Sequence, residues 1–377
     1  MTTNEKSDLS IPSLTIDSKG FKIGNRTMMT LKMLSETQPP IPMGTSWLIS
    51  DLAEAKGKQE LFTKQSPQKL KILWEHAIIE SAVSSNRIEG VTIDQKRVGT
   101  VIFGKSLLRD RNEEEVRGYR DVLNMIHARG DRTHISEKTV KDFHARIRGE
   151  IWDSGKYKIK DGDIIEKYPN GRERVRFKTV SAADTPGYMG KLINYWDESI
   201  REHQIHPLLA LAAFNLDFLC IHPFRDGNGR VSRLLLLLGC YKLGYEVGHY
   251  ISLERLIEDN KERYYETLEI SSQYWHDAKH DPWPYINYLL FILKTAYREF
   301  EERASHLSAP KGAKTEMVIS AVDSFYGSFS ISDLQRKCPT VSVDMIRKVL
   351  KELSKKGKVR SSGRGPNARW EKQNDEQ

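Results

Sequence analysis

Between His222 and Arg233 the chain places an imidazole, a carboxylate, two glycines flanking an asparagine, and two arginines: His222-Pro-Phe-Arg-Asp226-Gly227-Asn228-Gly229-Arg230-Val-Ser-Arg233. An imidazole titrates near neutral pH and is suited to moving a proton. Gly227 and Gly229 let the backbone turn without Cβ clashes, so several N–H groups can converge on one anion. The start of the following helix favours phosphate for the same reason. Arg230 and Arg233 lie three apart on one helix face, from which both guanidinium groups can reach a single polyphosphate chain. Taken singly, each residue has a plainer role: a histidine before proline is structural, an aspartate before glycine makes a turn, and a helical arginine meets solvent. Their concentration within one short loop describes a phosphate site beside a base.

Two apolar helices must hold that loop. Residues 209–221 are apolar with helical spacing, and 231–239 read as a second buried helix. Phe224 is expected to anchor the loop on the core and aim His222. Pro223 and Arg225 are assigned no chemistry.

The string from His222 to Arg233 resembles the signature of the Fic (Fic/DOC) family, His-x-Phe-x-Asp/Glu-Gly-Asn-Gly-Arg-x-x-Arg, at every defining position. The resemblance implies a mainly α fold, a helical core carrying a β-hairpin flap. It also implies transfer of AMP from ATP to a protein hydroxyl with release of pyrophosphate. In that setting His222 is the base, Asp226 holds Mg²⁺ against the phosphates, and Gly227, Asn228, Gly229, Arg230 and Arg233 bind the nucleotide. Two rival readings stay open. One is a Fic-fold transferase moving another phosphate-containing group. The other is a DNA-binding regulator whose Fic domain only senses nucleotide.

Upstream, Ser85-Asn-Arg-Ile-Glu89-Gly90 closes a helical stretch that starts near Ser66-Pro67, where serine and proline suit the cap and first turn and Gly90 suits the stop. The spacing resembles the Fic inhibitory motif, Ser/Thr-x-x-x-Glu-Gly/Asn. The resemblance implies that Glu89 pairs with Arg233 and puts a carboxylate where the γ-phosphate must bind. As plain sequence, the same residues are a helix end bearing a surface glutamate. Residues 159–177 alternate apolar and charged side chains around Pro169-Asn170-Gly171, a hairpin signature. They follow a helical run at 138–149, where Fic proteins carry the flap, and an exposed hairpin edge can bind a target protein by strand addition. Downstream, residues 260–268 resemble the family's adenine-side helix, with Tyr265 and Leu268 as the walls of the base. Ser272 replaces a polar amide often seen one turn later, and Asn215 stands where relatives often have histidine.

The chain has 377 residues, 38% of them hydrophobic, enough for a sizeable core and more than one domain. Cys220, Cys240 and Cys338 are scattered and odd in number, which argues against a disulfide framework or a zinc site. The first residues lack an apolar signal region and no apolar run is long enough to span a bilayer, so a cytoplasmic protein without a membrane partner is expected. The division expected is an N-terminal extension over 1–60, a Fic region over 61–304 and a small domain over 311–373. Pro39 to Pro42 suggest an extended connection, and 47–52 a segment packing on the core. The linker lies near 303–313. From Lys311 onward there are 14 Lys and Arg against 8 Asp and Glu, so this tail carries most of the net charge of +8. Helices over 315–325, 331–337 and 343–354 and a hairpin over 358–370 resemble a winged helix-turn-helix. Arg347, Lys348 and Lys351 on its third helix and Arg360, Arg364 and Arg369 on its wing are candidate DNA contacts. A protein partner fits the same face equally well, since a charge run is ordinarily solvated. A homodimer is also compatible with the sequence.

Overall fold

The computed structural model describes residues 29–63, 67–104, 107–167, 171–306, 313–325, 327–339, 341–363 and 368–373. Ser66, Pro169, Asn170 and Arg364, all named above, lie outside them.

Two helices run through the middle of the molecule, as the apolar patterning requires. They are the eighth and ninth in chain order, α8 (Pro207–Ile221) and α9 (Asn228–Lys242). Every α8 side chain after Pro207 is buried, Asn215 and Asp217 included. A helix apolar all round has no solvent face and must be enclosed by others. The enclosing helices are α1 (Thr30–Thr37), α2 (Met43–Thr63), α3 (Pro67–Ile88), α4 (Val98–Phe103), α5 (Arg111–Arg129), α6 (Glu137–Arg148) and α7 (Thr185–Glu202), and, beyond α9, α10 (Leu253–Asp259), α11 (Lys261–Ser272) and α12 (Trp283–His306). Between α6 and α7 stands one antiparallel hairpin, β1 (Ile164–Lys167) paired with β2 (Glu173–Phe177). The architecture is mainly helical, as expected.

The two buried polar residues of α8 show how the layers are pinned. Asn215 donates to the Ser232 carbonyl on α9 at 2.9 Å and accepts from the Ser232 and Tyr285 hydroxyls at 3.0 and 2.8 Å. It is a helix-to-helix tie. Asp217 accepts from the Thr30 and Leu31 amides at 2.8 and 2.9 Å and from the Trp275 indole at 2.7 Å. Its carboxylate thereby satisfies the otherwise free donors at the start of α1. The N-terminal residues described are therefore part of the core. Leu31, Leu34 and Leu52 are buried, and α2 lies along α12. Within 47–52 it is Leu52 that enters the core, whereas Trp47 stays 65% exposed. Residues 38–42 form the extended connection between α1 and α2.

After α12 the chain builds α13 (Ala313–Asp323), β3 (Phe329–Ser330), α14 (Ile331–Lys337), α15 (Val343–Lys355), β4 (Val359–Ser362) and β5 (Arg369–Lys372), with strand order β3-β5-β4. Its own core contains Phe329, Leu334, Ile346, Leu350 and Val359. Residues 303–306, expected in a linker, continue α12 instead. Arg347, Lys348, Lys351, Arg360 and Arg369 are exposed. Arg347 contacts Asp344 at 3.2 Å, and Arg369 donates to the Ser328 hydroxyl at 2.8 Å. His76 of α3 meets the Lys337 carbonyl. No helix among the described residues is long and apolar enough to cross a membrane.

Candidate active site

α8 ends at His222, whose N–H still bonds the Phe218 carbonyl at 3.0 Å while its backbone turns left-handed at φ +52°. Pro223 prevents the helix from continuing. The loop is then fastened at Phe224, 1% exposed and stacked on the His144 ring with centroids 3.8 Å apart, which is the anchoring role expected of it. Asn228 closes the loop. Its Oδ1 accepts the Phe224 amide at 2.9 Å and its Nδ2 donates to the Phe224 carbonyl at 2.8 Å. That side chain is occupied by the loop, so any contribution of Asn228 to an anion comes from its backbone. Gly227, at φ +83°, supplies the left-handed turn into α9. The first intrahelical bond of α9 runs from Val231 to Gly227, so the N–H groups of Asn228, Gly229 and Arg230 precede it and are available to an anion.

His144 holds the loop from below. Gly155 donates its N–H to His144 Nδ1 at 2.9 Å, so the ring proton sits on Nε2, which donates to the Asp226 carbonyl at 3.1 Å. Burial pushes this imidazole down to about 4, and it is neutral at physiological pH. The Asp226 side chain, 54% exposed, faces outward and pairs with Arg148 at 2.5 Å and more distantly with Arg230 at 3.7 Å. Burial alone would raise its carboxyl, but Arg148 and Arg230 outweigh that and hold it below the usual carboxylate range.

Arg230 does not reach outward as its helix position suggested. It is 1% exposed, and its Nη1 donates to Glu115 at 2.5 Å and to Asn86 Oδ1 at 3.1 Å. Glu115, on α5, also accepts from Arg148 at 2.9 Å and Arg111 at 3.0 Å. One buried carboxylate thus bridges two buried guanidinium groups beneath the loop, and Asp226 supplies the second negative charge. Glu115→Ala is expected to lower unfolding free energy by about 3–5 kcal/mol, the cost of leaving buried charge unpaired. Glu115→Gln should lie between this variant and the natural chain. Urea unfolding followed by tryptophan fluorescence measures the difference, and a change within error would remove Glu115 from the framework.

Arg233 is treated differently. Its Nε and Nη2 donate to the Ser85 hydroxyl and carbonyl at 2.8 and 2.9 Å, and Nη2 also donates to Glu89 Oε1 at 2.8 Å. Glu89 lies in the turn after α3, just before Gly90 at φ +80°. Its carboxylate projects onto the first turn of α9, where a Cβ added to Gly229 would collide with it. Glycine at 229 is what leaves room for an anion at this helix start. Arg233 Nη1 is buried without a hydrogen-bond partner among the described residues. A buried guanidinium nitrogen left over beside free helix N–H groups suits an anion larger than one carboxylate.

His222 Nδ1 lies 3.3 Å from the Leu219 carbonyl. A carbonyl only accepts, so Nδ1 carries the hydrogen and Nε2 keeps a free lone pair. Burial, then the neighbouring Lys158 cation, push the imidazole down to about 4. A neutral ring with an unprotonated Nε2 is the form a general base requires.

Comparison with known proteins bears on this arrangement directly. Residues 134–239, which include α6, the hairpin, α8 and most of α9, match the Fic/DOC family. The Fic/DOC match spans these residues. The protein adenylyltransferase Fic of Aedes aegypti is 23% identical over 212 residues, 54% of this chain and 39% of that protein. That of Drosophila grimshawi is 25% identical over 181 residues, 45% of this chain and 34% of that protein. The chain thus spans less than two fifths to about two fifths of the curated relatives it matches. Among solved structures, a Fic family protein from Desulfovibrio desulfuricans G20 superposes with a TM-score of 0.57 at 23% identity, covering 90% of this chain and 98% of the other. A Fic domain containing signaling protein from Bacteroides thetaiotaomicron gives 0.57 at 21% identity over 68% and 97% of the two chains. At these identities the structural likeness concerns the fold.

Glu89 and α11 lie outside the residues matched to the Fic/DOC domain but pack against it. Tyr265 and Leu268 are partly buried on α11, with the Arg176 guanidinium of β2 6.0 Å from the Tyr265 ring centre. Arg174 and Arg176 both pair with Glu269, which ties the hairpin to α11. Ser272 spends its hydroxyl on the Glu269 carbonyl at 3.1 Å. On the hairpin, Ile165 and Val175 are register partners, and their side chains are 45% and 55% exposed.

Sequence reading missed His144, Arg148, Glu115 and Lys158. The first three carried a signal. Glu115 falls on the stripe of Val116, Tyr119 and Val122, and His144 and Arg148 fall on that of Val140, Phe143 and Ile147. Ionisable residues on the apolar face of an amphipathic helix need partners inside the fold.

Proposed function

We propose that this protein transfers AMP from ATP to a Ser, Thr or Tyr hydroxyl of a target protein, and that Glu89 restrains the reaction. The supporting observation is the juxtaposition of a neutral His222 with a free Nε2 and an anion cradle made by the α9 N-terminus and Arg233. Proteins similar to the Fic/DOC domain named protein adenylyltransferase Fic favour the same reading.

In this reading the triphosphate lies over the N–H groups at residues 228–230. The target hydroxyl gives its proton to His222 Nε2 as its oxygen bonds the α-phosphorus. The bond from the α-phosphorus to the bridging oxygen breaks, and pyrophosphate leaves. Arg233 neutralises the terminal phosphates once it is free of Glu89. Positioning and charge neutralisation supply most of the rate in such a transfer. Arg230 contributes its amide and a fixed loop base, since its guanidinium is committed to Glu115. Tyr265 and Leu268 flank the adenine, and the β1–β2 hairpin lines up a target strand through the apolar edge at Ile165 and Val175.

Asp226 fits an Mg²⁺ ligand: its carboxylate is ionised, half exposed and fixed by Arg148, and this ion takes one or two carboxylates with phosphate oxygens and water. The metal would supply charge neutralisation of the phosphates there. Asp226→Asn is expected to lower transfer roughly tenfold or more, the scale of one charge-assisted contact, with partial recovery at high Mg²⁺. Rates measured across a magnesium series check this. An unchanged metal dependence would leave Asp226 as a turn residue paired with Arg148.

A second reading, transfer of a different phosphate-containing group, is favoured by the engagement of Ser272 with its own helix, which leaves no side-chain amide there to read the base. Incubation of the Glu89→Gly variant with ATP and lysate, followed by mass spectrometry of the adduct, tests both. An AMP adduct supports the first reading, and a different adduct mass overturns it.

A further inference from the structure

We propose that Lys158 is a positioning residue for His222, bracketing the imidazole-bearing backbone on both sides and tying it to the base of the β1–β2 hairpin. The inference rests on the reading of His222 as the base.

The Lys158 N–H donates to the Pro223 carbonyl at 2.8 Å, and its Nζ donates to the Ile221 carbonyl at 3.2 Å. One residue therefore holds the carbonyls of the two residues that flank His222. His222 needs such support. A side chain at φ +52° occupies a conformation that persists only where the surroundings over-determine it. The same Nζ donates to Thr179 Oγ1 at 2.8 Å, and Thr179 Oγ1 donates to the Gly162 carbonyl at 2.6 Å. Gly162 precedes β1 and Thr179 follows β2, so one ammonium group links the backbone just before His222 to Thr179 and, through it, to the other end of the hairpin.

Lys158 is 7% exposed and makes no salt bridge among the described residues. A buried ammonium in that position is costly unless its donors are used, and here they are used on His222's neighbours. Burial pulls it down to about 8, with Asp161 and Asp163 acting the other way, so it is mainly cationic at neutral pH. Three charged groups act on the imidazole: Lys158 ahead of the hairpin, Glu89 after α3 and Asp226 in the loop itself. Only Lys158 opposes protonation, and it therefore favours the neutral form along with burial.

The test compares Lys158→Met, Lys158→Arg and Thr179→Val in the full chain and in the Glu89→Gly background. The His222 imidazole is titrated by NMR, and kcat and KM for ATP are measured separately. Lys158→Met is expected to move the His222 midpoint up by about one unit, roughly a tenfold change in proton affinity. It should lower kcat by up to roughly a hundredfold, the scale of a misplaced reacting group, with KM for ATP unchanged. Lys158→Arg should restore the midpoint and part of kcat. Thr179→Val should lower kcat less and leave the midpoint in place. A shifted midpoint with unchanged kcat would reduce Lys158 to an electrostatic neighbour and overturn the proposal, as would equal values throughout. If Lys158→Met does not fold, the arginine and Thr179 variants decide by the same two readouts. Should no chain transfer AMP, Glu89→Gly included, while the midpoint still moves, it is the adenylyltransferase reading that fails.

Discussion

Replacing Glu89 with glycine is expected to raise ATP-dependent labelling, of itself and of added target, by roughly thirtyfold. Arg233 is 2% exposed at its side chain and Glu89 28%, so the pair lies between an exposed and a buried ion pair, worth about 2 kcal/mol. Glu89 stands in a turn followed by a left-handed Gly90, where a second glycine disturbs no helix. The effect should come from the vacated anion position and the released arginine. Arg233→Ala is the counterpart. It also breaks the pair, but it removes a phosphate ligand and the bonds to Ser85, so activity should fall even in the Glu89→Gly background. Labelling measured for both single variants and the double variant over a range of ATP concentrations separates these effects. Equal rates for the natural chain and Glu89→Gly at every ATP concentration would sink the inhibitory role.

His222→Ala is expected to lower transfer roughly a hundredfold or more, the usual contribution of a positioned general base, while ATP still binds. The proposed phosphate cradle consists of the α9 N-terminus and Arg233 and does not involve the imidazole. Alanine in a left-handed conformation costs about 1 kcal/mol, and His222→Asn, which tolerates that backbone better, serves as the control for it. Calorimetric ATP binding beside a labelling assay in the Glu89→Gly background checks the separation. A folded His222→Ala chain that transfers at close to the natural rate would remove the base assignment.

What could be read from the sequence follows the range of the interactions. The two central helices and the loop between them depend on neighbours within a few residues, and they stand where the pattern put them. The Glu89–Arg233 contact spans 144 residues, yet two short motifs marked both ends. Arg230 had no such mark. Its spacing from Arg233 shows that they share a helix face, but not that Glu115 of α5 lies against the first while Glu89 lies against the second. The side-chain amide of Asn228, close to its own loop, bonds the Phe224 backbone, which the motif did not reveal, and leaves only its backbone N–H for an anion. Lys158 gave no signal, because its acceptors are two carbonyls, which every residue has, and a threonine hydroxyl 21 residues away. The segment 47–52 packs on the core as expected, through Leu48, Ile49 and Leu52, while Trp47 on the same helix is largely exposed.

The carboxylate that occupies the anion position belongs to the same chain as the site it fills. It is therefore present at an effective concentration fixed by the fold, and diluting the protein does not relieve it. In the proposed reading, ATP competes with a tethered ligand that never diffuses away. Release in that reading depends on nucleotide concentration and on whatever displaces the end of α3, in the manner of a latch built into a single chain.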